Sequence, residues 1–197
     1  QQNVDDWSRS YKQVLNANVA IHGLNEIPVL TANRKEWEEV KGNALFFRAH
    51  AYYNLAQIFA PPYDANTADT DAGLPLRTNP DINESVQRSS VQQTYDSIIA
   101  DLDVAEDLVN ANVQYYNKNR PSKPAVLALK ARAYLSMRNY EAAGEYADRA
   151  LDLYDSLINY NDLNPFEFLP FDLKNKETIF QSRFTNVTGV MIGLIFR

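Results

Sequence analysis

The sequence predicts an all-α fold of antiparallel helical repeats, with a long loop insertion and a short β segment near the C-terminus. Three observations predict it. Leu127 to Leu153 (LALKARAYLSMRNYEAAGEYADRALDL) reads as two helices joined by a short turn at Arg138-Asn139. Small residues (Ala131, Ala143, Ala150) stand where the helices must approach closely, and Tyr134, Tyr140, Tyr146 and Leu151 stand beside them as fillers. An earlier copy lies upstream: Ala49, Ala51 and Tyr52 match Ala131, Ala133 and Tyr134 at an offset of 82, and Tyr95 and Ala105 match Tyr140 and Ala150 at an offset of 45. The first copy therefore carries 37 extra residues between its helices.

The spacing is that of tetratricopeptide-like (TPR-like) repeats, whose helix pairs cannot bury an apolar face alone and so stack on neighbours. The repeats are expected at about 34–109 and 122–158, within a single domain or fragment covering 1–197. Helix connections usually run to roughly 2–8 residues, and longer ones are usually functional or disordered. The insertion, 61–89, holds four of the nine prolines and is rich in Asp, Asn and Thr. It is expected to lie over the repeats as a long loop, anchored by Leu74 and Leu76.

The elements follow in order. Trp7 to Ile27 carries apolar residues at mixed three- and four-residue steps, and Pro28 ends it. A second helix opens near Asn33, where Asn33 and Glu36 have capping-box spacing, and runs to about Phe59 before Pro61-Pro62. Gly42 within it suggests either a close helix crossing or a tolerated defect. Ser90 and Gln93 open a helix from Val91 to about Val109. Ser122 and Pro124 open the next, to about Met137, and its partner runs from Tyr140 to about Ile158. Thr178 to Phe184 alternates like a half-buried strand. The apolar run Val190 to Phe196 continues this strand-like tail (178–196) and should be shielded by another strand, another chain or further residues.

Composition narrows the function. With 45% hydrophobic and 22% charged residues the chain is globular in character. A net charge of −6 and a pI near 4.9 argue against a nucleic-acid partner. The basic stretch Lys118 to Lys123 is expected as a solvated loop. Without cysteine there are no disulfides, thiolate metal sites or cysteine nucleophiles. No apolar run approaches the roughly 18 residues of a membrane span, and the first ten residues lack a signal pattern.

Sites of chemistry are few. His22 and His50 lack a second histidine at i+3 or i+4, so neither suggests zinc. No serine sits in a strand–turn–helix elbow and no glycine-rich phosphate loop is present. Asp64, Asn66, Asp69, Asp71 and Gly73 have a calcium-loop rhythm, but the twelfth position from Asp69 is Pro80, not glutamate. Aspartates in such turns commonly cap their own backbone. Asp101, Asp103, Glu106 and Asp107 are read as a solvated helix face. No enzyme, metal or cofactor is therefore expected. The twenty-three aromatic residues invite a carbohydrate reading. Tyr52, Tyr95, Tyr134, Tyr140 and Tyr146 occupy repeat-packing positions, which leaves Tyr63, Tyr115, Tyr116 and Trp7 as candidate ligand-binding residues.

The order of the pieces resembles the SusD/RagB family of outer-membrane nutrient-binding lipoproteins. The matching segments are YKQVLNANVAIHGL, EWEEVKGNALFFRAHAYYNLAQIFAPPY, the GLPL of the insertion, SVQQTYDSIIADLDVAEDL, PSKPAVLALKARAYLSMRNYEAAGEYADRAL and NKETIFQSRF. The segment from Glu39 to Tyr53 is the most specific. The resemblance implies non-catalytic capture of a glycan or other nutrient at the outer-membrane surface, together with a TonB-dependent transporter. It implies a lipid anchor that this chain does not carry and a C-terminal half beyond it, so a fragment, a partial chain or a short member is expected. It also implies that these helices are scaffold, with the family's ligand contacts largely on loops before them and in the C-terminal half. The alternative is a TPR-type adaptor that holds a peptide in its groove; the long insertion speaks against it.

Overall fold

The computed structural model describes residues 3–114, 116–164, 166–168, 170–171 and 175–182, with the backbone alone for 3–5. Five helices carry the architecture: α1 (Asn3–Asn25), α2 (Arg34–Phe59), α3 (Val91–Leu108), α4 (Lys123–Ser136) and α5 (Tyr140–Leu153). They pack in sequence as successive neighbours, with α2 central between α1 and α3. Its position follows from its composition: Ala, Leu, Phe and Tyr recur around most of the helix, and Phe46, Ala49, Tyr52 and Leu55 are fully buried.

The helix starts differ in chemistry. The Ser90 hydroxyl accepts from the Gln93 N–H at 3.1 Å and the Gln93 side chain accepts from the Ser90 N–H at 3.0 Å, the expected capping box. Asn33 does not cap α2 in that way. Its amide oxygen accepts from the Leu30 N–H and its amide nitrogen donates to the Pro28 carbonyl, so it ties down the preceding turn instead.

Gly42 marks a close crossing. A Cβ there would lie 2.8 Å from Leu108 Cβ and 3.0 Å from the Val109 nitrogen. The α4–α5 pair is the compact repeat expected: Ala133, Ala143 and Ala150 are buried, and the Tyr134 and Tyr146 rings stack at 5.4 Å with 5° between planes. Arg138 makes the turn with φ 59°, and Asn139 Oδ1 caps α5 through the Ala142 N–H. Two fillers are misplaced by the sequence reading. Tyr140 is 68% and Leu151 57% exposed, because α4 is the sole described element packed against α5. The last helix also ends at Leu153, not Ile158; Tyr154 is extended, and the Ile158 N–H donates to the Glu177 carboxylate at 2.8 Å.

The insertion is mostly loop, and the two strands of the described chain form within it and at its end. Strands β1 (Ala72–Pro75) and β2 (Arg88–Ser90) run antiparallel, with Ala72 opposite Ser90 and Pro75 opposite Arg88. Gly73 is required there, since a Cβ would come within 2.2 Å of the Ser90 carbonyl oxygen. Leu74 is fully buried and Leu76 packs against the core, as anchors.

The strand expected over 178–184 is not formed in its described part, 178–182. That segment is pinned by side chains instead of a ladder. Lys118 Nζ donates to the carbonyls of Asn175 (2.6 Å) and Thr178 (2.7 Å), and the Gln181 N–H returns a bond to the Lys118 carbonyl. Lys118 is thereby 2% exposed, not solvated as expected. Residues 183–197, which include Phe184 and Val190–Phe196, lie outside the described residues. No described helix is long and apolar enough to cross a membrane.

Candidate ligand-binding site

Buried polar side chains hold the insertion against the helices by its main chain. The Tyr11 hydroxyl donates to the Pro75 carbonyl at 2.9 Å. The Tyr52 hydroxyl donates to the Arg77 carbonyl at 2.8 Å and accepts from the Arg77 N–H at 2.6 Å. Asn18 Nδ2 donates to the carbonyls of Arg77 (2.9 Å) and Asn79 (3.4 Å). Burial pushes the Tyr52 phenol up to about 12, so it remains a proton donor at any ordinary pH.

Asn18 is itself oriented from below. Arg48 Nη1 donates to Asn18 Oδ1 at 2.8 Å, which fixes the amide with its nitrogen toward the insertion. Arg48 in turn forms a bidentate pair with Asp101, at 2.7 and 2.6 Å. Burial works against both charges and lifts the Asp101 carboxyl above its ordinary value. The paired contact still raises Arg48 further, so the guanidinium stays charged. Asp101 thus connects α3 through α2 to α1 and on to the insertion. It is not part of a solvated face, and neither is Glu106, which is 9% exposed and accepts from Lys130 (2.6 Å) and Arg149 (2.5 Å).

Between α1 and the insertion this arrangement leaves a cleft of about 520 Å³. Trp7, Tyr11 and Lys12 line one wall, and Arg77, Asn79 and Ile82 the other. The Trp7 ring lies 4.7 Å from Tyr11 and meets Phe59 edge-on at 5.0 Å, so it is braced yet partly exposed. A second cleft of about 460 Å³ lies between α1 and α2, floored by Ala17, Ala44 and Phe47 and bordered by His50 and Phe180. Burial, and then the charge of Arg132, hold His50 below its ordinary value.

Of the four candidate residues, Trp7 alone among the described ones reaches a cleft. Tyr63 is buried; its hydroxyl donates to Gln92 Oε1 at 2.5 Å and its ring packs edge-on against Tyr95 at 5.5 Å. Tyr116 is 77% exposed on the α3–α4 loop, away from both clefts. Tyr115 lies outside the described residues. The calcium-like aspartates serve their own turns: Asp64 Oδ1 accepts from the backbone and side-chain nitrogens of Asn66, and Asp71 accepts from the Thr67 hydroxyl. Lys12, Arg77 and Asn79 were not singled out from sequence. They line one cleft only because residues roughly seventy apart are brought together, and no periodicity reports that.

A family model described as SusD-like, starch-binding associating with outer membrane, matches residues 1–135. The chain belongs to that family. Solved structures of SusD superfamily proteins agree with it. One from Bacteroides thetaiotaomicron is 25% identical, with a TM-score of 0.71 over 79% of this chain and 34% of its own. Another, from Bacteroides vulgatus, is 27% identical, with a TM-score of 0.69 over 79% of this chain and 35% of its own. A laminarin binding SusD-like protein, 22% identical, shares the fold at a TM-score of 0.62 over 74% of this chain and 29% of its own. This SusD-like chain spans about a third of the length of these solved relatives. No curated protein matches it.

Proposed function

We propose that this chain is the scaffold portion of a non-catalytic, surface-exposed and lipid-anchored glycan-binding component of an outer-membrane uptake complex, working with a TonB-dependent transporter. The observation that carries the reading is the family match over 1–135, whose span includes the insertion and every side chain that ties it down. A peptide-holding adaptor is the weaker reading. β1 packs on α2 and α3, so the insertion occupies a face of the first repeat that an open groove would need.

In this reading the helices and the tied insertion are framework, and Trp7 with its cleft is the ligand contact this chain itself supplies. Braced aromatic rings suit carbohydrate, because they present an apolar face with little conformational freedom left to lose on binding. The test is a panel of oligosaccharides titrated calorimetrically into this chain and into the product of the whole gene. The whole product should bind at least one glycan and this chain should bind it weakly. Solubilised membranes should yield the whole product in complex with a TonB-dependent transporter identified by mass spectrometry. Glycan-blind whole product, or tight binding of extended peptides by the helical region, would overturn the proposal in favour of the adaptor.

A further inference from the structure

The charges around the α1–insertion cleft run against those of the chain. The protein carries a net charge of −6, yet no Asp or Glu among the described residues lines this cleft, while Lys12 and Arg77 both do. Among the described residues no carboxylate pairs with Arg77. Its guanidinium donates to the main-chain carbonyls of Asp81 (3.3 Å) and Glu84 (3.0 Å), which hold it in place and leave its full charge. The nearby Asp81 carboxylate is engaged by the Asn83 N–H and side-chain amide. Arg88, behind the same wall, likewise donates to carbonyls, those of Gly73 and Phe59. The charges of Arg77 and Arg88 are felt at Tyr11 on the opposite wall. Burial and Tyr52 push the Tyr11 phenol up, whereas Arg88 and Arg77 pull it down.

From this geometry we infer that the cleft takes an anionic saccharide, its ring against Trp7 and its carboxylate or sulfate between Lys12 and Arg77. The inference rests on the glycan-binding reading and names the class of glycan. A fixed guanidinium matches a planar or tetrahedral oxyanion through paired N–H donors, and an exposed lysine adds a point charge. The Asn79 side chain, also on the wall, accepts from the Asp81 N–H through Oδ1, so its amide nitrogen remains to donate to a sugar oxygen. In an otherwise acidic protein, such a positive recess focuses the field on its own opening.

The test is an NMR titration of this chain, which reads weak binding and its place together. An oligogalacturonide supplies carboxylates, a chondroitin sulfate oligosaccharide adds sulfate, a malto-oligosaccharide is neutral, and inorganic sulfate is the bare anion. At low salt one or both acidic saccharides should shift the Trp7 indole and the resonances of residues 77–82, with affinity about tenfold above the neutral sugar and falling as salt rises. Lys12 is exposed, so Lys12→Gln should keep the fold and lose most of that preference. Arg77→Gln should lose it as well. Equal binding of neutral and acidic sugars, insensitive to Lys12→Gln, would overturn the anionic class while leaving glycan capture standing. Sulfate binding as tightly as the acidic sugars would overturn the saccharide assignment of the cleft. No shift of Trp7 with any sugar would overturn the inference outright, while the calorimetric panel on the whole gene product decides the broader reading separately.

Discussion

The two helix pairs, α2–α3 and α4–α5, start from nearly the same sequence pattern and are stabilised in different ways. In the second, a turn of a few residues joins the helices, and α5 buries Ala143 and Ala150 while Tyr140, Leu151 and Leu153 stay exposed. In the first, the helices are separated by residues 60–90, and that segment becomes a third packing partner. Leu74 and Ala68 enter the core, and the hydroxyls or amides of Tyr11, Asn18 and Tyr52 occupy the loop's carbonyls. The lesson is that a repeat can accept a long insertion when the insertion's main-chain polar groups are satisfied by the scaffold. Buried backbone groups without partners would cost more than the apolar contacts return.

The sharpest way to break the comparison is to remove the charge beneath the first pair. Arg48→Ala leaves Asp101 buried without its bidentate partner and frees the Asn18 amide to rotate. Losing one member of a buried pair costs about 3–5 kcal/mol, so chemical denaturation should show a large fall in stability. Replacing both, as Arg48→Met with Asp101→Leu, should recover much of the loss, since apolar residues of similar volume often substitute for a buried pair. A single Arg48→Ala variant with near-native stability would show that the insertion is held by its apolar anchors alone.

The second pair is joined to the first by a charge centre of its own, Glu106 of α3 with Lys130 and Arg149, and it responds to acid. Burial pushes Glu106 up, but the hydrogen bond and charge of Lys130, then Arg149 and Lys123, hold it below its ordinary value of 4.5. A carboxyl depressed in the folded state contributes stability that is complete above 4.5 and is lost as pH falls through the lower folded value. The α3–α4–α5 contacts should therefore loosen first in acid. Lys130→Met, which removes a hydrogen bond between charged groups, should cost about 1.5–3 kcal/mol at neutral pH and flatten that acid dependence. Hydrogen exchange on α5 across the acid range measures both; protection independent of pH would remove Glu106 from the account.

These charges also mark where sequence reasoning stopped. Helix positions, the Ser90 cap, the Arg138 turn and the bounds of the insertion were legible, because each is a local pattern of apolar period, capping residue or proline. The burial of Asp101, Glu106 and Lys118 was not, because a carboxylate on a helix surface looks the same whether water or an arginine from fifty residues away faces it. The β1–β2 pairing is not legible in the sequence because its strands are four and three residues long and the first contains Gly73. Trp7 is legible as a candidate, but Arg77 opposite it is not, since that wall exists only once Asn18 and Tyr52 have fixed the path of residues 75–79.

The smallest expected effect lies at the position where the two pairs diverge most plainly. By repeat spacing Tyr140 is the counterpart of Tyr95, and the same role was expected of both. Tyr95 is 3% exposed, shares its hydroxyl with Gln57 at 3.0 Å and packs against Tyr63, which the insertion supplies. Tyr140 is 68% exposed and has no insertion beside it. Tyr140→Ala should therefore change stability by no more than about 0.5 kcal/mol, as exposed substitutions do. Tyr95→Ala should cost about 3–5 kcal/mol, as large buried aromatics do. Parallel urea denaturation of the two variants gives the ratio directly. A loss of more than about 2 kcal/mol for Tyr140→Ala would mean that α5 is covered in solution by something packed on its outer face, and the contrast between the two repeats would then have to be redrawn.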